Sequence, residues 1–126
     1  MVTTKIIIIS DGKNTNIESI NQYLTEHGYE VIIANDGLDG FNLARKENPD
    51  IVLIESVLSG FNGYQLCSLL KYDIKFEDIT VVILANGAGT KEQILANSCG
   101  ADGVFSTPID LDELMGLIRS INYKEQ

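Results

Sequence analysis

The chain alternates short apolar runs with longer stretches in which apolar residues recur every three or four positions. Five runs rich in Ile, Val, Leu and Ala predict β-strands over residues 5–10, 29–34, 51–55, 80–85 and 103–106. A segment with helical periodicity follows each run, which predicts five helices. Because the runs are nearly continuous in apolar residues, we expect a parallel sheet with helices on both faces. Five strands are few for a closed barrel, so the pattern favours an open, doubly wound α/β fold.

The predicted helix starts depend on capping residues. Three pairs have the spacing of a helix start and predict the beginning of the first, fourth and fifth helices: Thr15 with Glu18, Thr90 with Gln93, and Asp110 with Glu113. The second helix is expected to begin near Asp36 and to end before Pro49, because the residue before a proline avoids the helical region. The third helix is expected to begin around Asn62.

Length and charge restrict the class of protein. The 126 residues fit one domain, with a predicted core over about residues 5–120. The net charge of −9 argues against a nucleic-acid-binding surface, where Lys and Arg cluster. The four consecutive isoleucines, Ile6–Ile9, are too few for a membrane span or a signal-peptide core. We therefore expect a cytoplasmic protein that does not associate with membranes.

Three residues with reactive side chains are assigned structural roles. Cys67 and Cys99 lack metal-ligand spacing and are expected to be reduced packing residues rather than a redox pair. The single histidine, His27, falls in the last turn before Gly28, where a cation suits the helix dipole. We expect His27 to cap this helix or to lie on the surface.

Polar residues follow several of the predicted strands. In an open doubly wound sheet, ligands bind at the carboxyl ends of the strands, so Asp11 and Glu55 are expected to converge there. Glu55 ends a run of four apolar residues, and a charged group there is costly unless it reaches solvent, finds partners or does chemistry. We expect Glu55 to lie at a solvated edge of the sheet.

Five segments, together with the distances between them, carry a family likeness: "IIIISD", "GYEVIIANDG", "NPDIVLIESVLSGFNGYQLC", "FEDITVVILA" and "GADGVFSTPIDLDEL". From about Lys5 to Ser120 the chain resembles the receiver domain of two-component response regulators. The resemblance implies a flavodoxin-like (βα)5 doubly wound sandwich with a five-stranded parallel sheet of order 2-1-3-4-5. It also implies phosphoryl transfer from a histidine kinase to an aspartate at the end of the third strand. In the family, Mg²⁺ is held by that aspartate and by an acidic pair after the first strand.

The family's functional positions fall on unusual residues in this chain. The first member of the acidic pair falls on Ser10, and the phosphoacceptor aspartate falls on Glu55. The hydroxyl residue after the fourth strand falls on Ala85, and the lysine before the family's proline falls on Thr107. The aromatic residue that changes position on activation falls on Val104. The resemblance therefore implies a degenerate site.

The second member of the acidic pair falls on Asp11, which is the one functional position that keeps the family's residue type. The extra methylene of Glu55 moves its carboxylate by about 1 Å, and a misplacement of that size can cost ~10²-fold in rate. Loss of the lysine at Thr107 removes a cation that would stabilise the developing charge. With one acid of the pair missing, Asp11 and Glu55 are expected to form a weak Mg²⁺ site at most, and no other cofactor is expected.

These departures predict a pseudo-receiver: a signalling module of a two-component phosphorelay that is not an enzyme and acts through protein–protein contacts. The expected contact surface is the face formed by the fourth helix, the fifth strand and the fifth helix, and a homodimer is also left open. One alternative is residual phosphorylation, or imitation of the phosphorylated state, at Glu55. A second is a flavodoxin-type FMN protein, whose phosphate would lie in the loop "SDGKNTN" at residues 10–16.

Overall fold

A single parallel sheet organises the chain in a computed structural model, which describes residues 3–13, 16–87 and 89–124. Its strands are β1 (Lys5–Ile9), β2 (Glu30–Ala34), β3 (Ile51–Glu55), β4 (Thr80–Ala85) and β5 (Gly103–Ser106). Their order is β2-β1-β3-β4-β5, with every neighbouring pair parallel. This order confirms the predicted doubly wound sheet. A short antiparallel hairpin, Val57–Leu58 with Phe61–Asn62, follows β3.

Helices cover both faces of the sheet and create two separate apolar cores. The helices are α1 (Asn16–Glu26), α2 (Gly37–Glu47), α3 (Gly63–Lys71), α4 (Thr90–Ser98) and α5 (Leu111–Lys124). Residues of α1 and α5 pack with Ile6 and Ile8 of β1, whereas residues of α2 and α3 pack with Ile7 and Ile9. The alternation follows from the two-residue period of a strand. No helix in the described ranges is long and apolar enough to cross a bilayer.

The helix boundaries test the capping predictions. The Asp36 carboxylate accepts a hydrogen bond from the backbone N–H of α2 at 2.8 Å, and Asn48, in the left-handed region, ends this helix before Pro49. Asp110 likewise caps α5. α4 begins at Thr90 as predicted, but the capping role of Thr90 is wrong, because the N-cap is Gly89, which has no side chain to accept a bond. The predicted cap Thr15 lies outside the described residues.

Gly63 fixes the position of α3 against the end of β3. Its N–H donates to the carbonyl oxygen of Ser56 at 3.0 Å, so the first residue of α3 lies directly against the chain that leaves β3. A methyl group built on Gly63 would overlap the carbonyl oxygen of Glu55 and would lie 2.9 Å from the Cα of Ser56. Because these are backbone atoms, they cannot move aside as a flexible side chain can.

The substitution Gly63→Ala is therefore expected to destabilise the protein by about 2–3 kcal/mol, the usual range for overpacking, measured by urea unfolding. Gly116→Ala is the matched control, because Gly116 lies in α5 with open space around the position of an added methyl group. The control should gain roughly 0.5–1 kcal/mol from the helix propensity of alanine. Equal changes in the two variants would contradict a close approach of α3 to β3.

Candidate functional site

A pocket of about 380 Å³ opens where β1, β3, β4 and β5 end. It is lined by Asp11, Lys13, Glu55, Val57, Leu58, Ser59, Asn86 and Thr107. The folded chain thus brings together the two acidic residues predicted to converge, Asp11 and Glu55. Thr107, which occupies the position of the family's lysine, lies beside them. The pocket lies at the carboxyl ends of the strands, as is usual for ligand sites in open parallel sheets.

Glu55 is buried rather than solvated, so the expectation of a solvated edge is wrong. Its side chain lies at the end of the central strand β3, opposite Leu84 of β4, and the residue is only 6% exposed. The next residue, Ser56, is equally buried, because the chain folds back to form the hairpin and the start of α3. Glu55 Oε1 has no hydrogen-bond partner in the described part of the chain.

Burial raises the pKa of Glu55 above its ordinary value. A hydrogen bond with the Ser10 side chain acts in the opposite direction, and the nearby charge of Asp11 raises the pKa further. Ser10 is itself buried, and its Oγ also accepts a hydrogen bond from the N–H of Gly12 at 3.1 Å. The residue at the family's first acidic position therefore contacts Glu55 as a neutral hydroxyl.

Asp11 has the opposite electrostatic character. Burial raises its pKa, but three hydrogen bonds and the charge of Lys13 outweigh burial, so that the pKa is lowered overall. The bonds come from Lys13 N at 3.1 Å and from the N–H and hydroxyl of Ser59 at 3.2 Å each. Asp11 is therefore an ionised carboxylate whose oxygens already have donors within the chain.

Lys13 and Ser59 connect the loop after β1 to the hairpin after β3, and our sequence reasoning did not single out either residue. The ammonium group of Lys13 donates to Ser59 Oγ at 3.1 Å, and Ser59 in turn donates to Asp11. Lys13 follows Asp11 by two residues in a strand-end loop, which was an available signal for a pocket residue. Ser59 lies in the turn of the hairpin after β3, where no pattern in the sequence marks it as a pocket residue.

The other degenerate positions are divided between the pocket and its surroundings. Thr107 Oγ1 lies 3.4 Å from Asn86 Oδ1, to which it donates, and the Thr107 N–H donates to the Ala85 carbonyl oxygen. Ala85 is fully buried and does not line the pocket. Val104 is also outside it, beside a separate crevice of about 100 Å³ that Glu92 of α4 helps to line.

The described donor set fits a Mg²⁺ ion poorly. Mg²⁺ needs near-octahedral oxygen coordination, and no group of three or more His, Cys, Asp or Glu residues suited to a metal occurs within the described ranges. The Asp11 oxygens already accept three hydrogen bonds, and the Lys13 ammonium group would repel a dication. Burial favours the uncharged form of the Glu55 carboxyl group.

The remaining candidate residues lie away from the pocket. Cys67 and Cys99 are free and buried, which confirms their predicted packing role. Burial raises the pKa of Cys67, and its thiol donates to the carbonyl oxygen of Cys99 at 3.4 Å. His27 is exposed, with Nδ1 2.7 Å from the carbonyl oxygen of Tyr23. Since a carbonyl oxygen can only accept, the imidazole donates to the last turn of α1, as predicted for a cap.

Known proteins resemble the chain along nearly its whole length. The family model described as response regulator receiver domain matches residues 6–119. Protein PilH of Pseudomonas aeruginosa is 31% identical over 115 residues, which cover 91% of this chain and 95% of PilH. The DNA-binding dual master transcriptional regulator RpaA of Synechocystis is 30% identical over 116 residues; these cover 92% of this chain but only 47% of RpaA.

Solved structures share the fold at lower sequence identity. A CheY-like response regulator receiver domain protein from Methanospirillum hungatei superposes with a TM-score of 0.86 at 21% identity, covering 98% of each chain. The chemotaxis response regulator CheY4 of Vibrio cholerae gives a TM-score of 0.84 at 17% identity, covering 95% of this chain and 99% of CheY4. These matches confirm the predicted flavodoxin-like fold class. The comparisons favour the receiver interpretation over the flavodoxin-type FMN alternative.

The substitution Glu55→Gln is expected to raise the free energy of unfolding at pH 7 by roughly 1 kcal/mol, because the amide keeps the shape without a buried charge. A carboxyl group with a raised folded-state pKa contributes most stability below its ordinary value of 4.5 and loses that contribution as pH rises through the folded-state pKa. The gain in Glu55→Gln should therefore be absent in acid and grow towards neutral pH, as measured by urea unfolding across pH.

Asp11→Asn is the control with the opposite sign. Because the pKa of Asp11 is lowered, its contribution is present above its ordinary value of 3.8 and disappears as pH falls. This variant should lose stability at neutral pH and approach the wild type in acid. A loss of stability in Glu55→Gln at pH 7 would contradict the burial of a charge at Glu55.

Proposed function

The chain belongs to the response regulator receiver family, and we propose that it is a pseudo-receiver, a two-component signalling module that works without phosphorylation at Glu55. The observation that carries this proposal is the surroundings of the Glu55 carboxyl group. It is buried, its Oε1 has no partner within the described ranges, and the family's lysine position is occupied by Thr107. The module then acts through contacts with another protein.

Phosphoryl transfer to a carboxylate needs an ionised, accessible nucleophile and cations that neutralise the transferred group. Burial acts against the first requirement by favouring the neutral form of Glu55. The second is met poorly, because Lys13 is the one cation among the lining residues and already bonds to Ser59. Ala85 offers no hydroxyl at the remaining contact position. The site thus lacks several of the groups that accept and stabilise a phosphoryl group.

The same surroundings disfavour the phosphomimetic alternative. A carboxylate that imitates a phosphoryl group must be held by the donors that would hold the phosphoryl oxygens. Thr107 instead donates to Asn86, and Glu55 Oε1 has no donor from the described residues. At the family's switch position, Val104 leaves a crevice of about 100 Å³ beside α4 rather than supplying a mobile aromatic ring. We infer that both the chemistry and its readout are lost.

We infer that Mg²⁺ binding is weak at most. The candidate ligands are Asp11 and Glu55, and neither presents a free, ionised carboxylate to the pocket. Losing the acid at Ser10 removes a negative charge that would hold a dication. Restoring an acid at Ser10 should therefore raise the affinity for Mg²⁺, whereas the Glu55 carboxyl group without that acid should bind the ion weakly.

Wild-type protein incubated with a small-molecule phosphodonor and Mg²⁺ is expected to gain no phosphate by intact-mass spectrometry. A variant that restores the family residues, with Ser10→Asp, Glu55→Asp, Ala85→Thr and Thr107→Lys, is expected to gain the mass of one phosphate. The matched control carries asparagine instead of aspartate at position 55 in the restored background and should gain none. Phosphorylation of the wild type that disappears in Glu55→Gln would overturn the proposal.

The face formed by α4, β5 and α5 is the surface we propose for protein contact. In α4 only Ala96 is buried, whereas Ile94 is 57% exposed and Leu95 is 37% exposed. Aliphatic side chains on an otherwise solvated helix gain from burial against a partner. The absence of a switch aromatic at Val104 implies that phosphorylation does not switch this face between two states. The same face could also support a homodimer.

Ile94→Glu is expected to weaken partner capture at least tenfold in a pull-down with the intact domain, because the charge would be buried in the contact. Leu38→Glu is the matched control: it changes a leucine with 60% exposure at the start of α2, away from this face. A partner retained by Leu38→Glu but lost by Ile94→Glu would place the contact on α4. Retention by both variants would move the contact to another surface.

A further inference from the structure

The strand-end pocket contains a buried acceptor that the described fold leaves unused. Glu55 is only 6% exposed, and its side chain lines the pocket. Its Oε1 is the one buried side-chain oxygen or nitrogen in the described ranges without a hydrogen-bond partner. A buried polar atom without a partner costs roughly 1–3 kcal/mol, so a ligand that supplied a donor would recover that free energy.

The pocket's other walls indicate what kind of donor fits. Asp11 supplies a second carboxylate, and Asn86 and Thr107 supply an amide and a hydroxyl. Val57, which is 64% exposed, and the buried Leu58 supply apolar surface on one side. A volume of about 380 Å³ lies within the range of small-ligand pockets. These walls suit a group that is positively charged at its tip and apolar along its stem.

We propose that the pocket binds a guanidinium or primary ammonium group, and that a basic side chain of the protein partner supplies it. Such a group carries several N–H donors and can bond to the Glu55 carboxyl group while it faces Asp11. Its methylene stem would pack on Val57 and Leu58. The inference rests on the proposed function, since it assigns the partner's cation to the place left without the family's lysine.

Charge and geometry favour a cation over the alternatives. An anion would meet the ionised Asp11 and a chain with a net charge of −9. The chain's own Lys13 also lines the pocket, but its ammonium group donates to Ser59 Oγ at 3.1 Å and its charge is balanced by the ionised Asp11, so it opposes a monovalent cation less than a dication.

The test is an NMR titration of the ¹⁵N-labelled protein with methylguanidinium, methylammonium and tetramethylammonium. The first two probes should shift the backbone amides of Ser56 and Ser59 in a saturable manner, because both probes donate N–H bonds. Tetramethylammonium carries the same charge without a donor and should bind at least tenfold more weakly. No saturable shift with methylguanidinium or methylammonium, or equal shifts with all three probes, would overturn the proposal.

Two pocket variants, Glu55→Gln and Thr107→Lys, and one control, Asp39→Asn, test whether the probe binds in the pocket. Glu55→Gln should weaken methylguanidinium binding at least tenfold, whereas Asp39→Asn, which removes one exposed carboxylate from α2, should leave it unchanged. Thr107→Lys places a resident cation in the pocket and should also block the probe, so the test does not depend on one variant. Equal weakening by Glu55→Gln and Asp39→Asn would indicate non-specific charge attraction and overturn the proposal.

A capped Gly-Arg-Gly peptide distinguishes a protein side chain from a free cation. If a partner's arginine is the natural occupant, the peptide should bind at least as tightly as methylguanidinium and shift the same amides. Exclusion of the peptide while methylguanidinium binds would overturn the assignment to a partner. These titrations need neither partner nor phosphodonor, so their failure overturns the cation site and leaves the phosphodonor result standing. Failure of the proposed function is detected separately, as a mass gain of one phosphate on the wild type.

Discussion

The carboxyl group of Glu55 is the constraint on which the site depends, because it lies on the central strand of the sheet. β3 is flanked by β1 and β4, and every residue of the strand is buried. A carboxyl group there needs either cations or donors, and the described chain supplies one bond from Ser10. In the receiver family this place is an active centre, whereas here the same backbone holds a carboxyl group with few partners.

The sequence predicted the framework well because the framework depends on local patterns. β3 and β4 have the predicted boundaries, since uninterrupted apolar runs stand between polar residues. Asp110 caps α5 as expected, and α2 begins beside Asp36 as expected, because a side chain and a backbone N–H three residues apart are brought together by local geometry. Thr90 does not cap α4, because the N-cap position falls on the extended Gly89, one residue earlier than the capping pattern suggested.

The site was predicted less completely because its contacts depend on how separate loops meet. The convergence of Asp11 and Glu55 follows from the parallel sheet, but the depth of Glu55 depends on the turn after β3. That turn is held by the bond from Gly63 to Ser56, between residues seven positions apart. The bridge from Lys13 to Ser59 joins residues 46 positions apart, a distance at which spacing carries no signal. Sequence patterns therefore located the pocket but not its hydrogen bonds.

Helix α4 is anchored differently from its neighbours. Whereas α3 buries Leu66, Cys67 and Leu70 in the core, α4 buries only Ala96 among its helical residues. A helix held by one small side chain adds little to the cooperative unit of the fold. Hydrogen exchange at the amides of α4 is therefore expected to proceed mainly through local opening of the helix rather than through unfolding of the whole domain. A surface carried by such a helix can adjust to a partner without disturbing the sheet that supports the rest of the molecule.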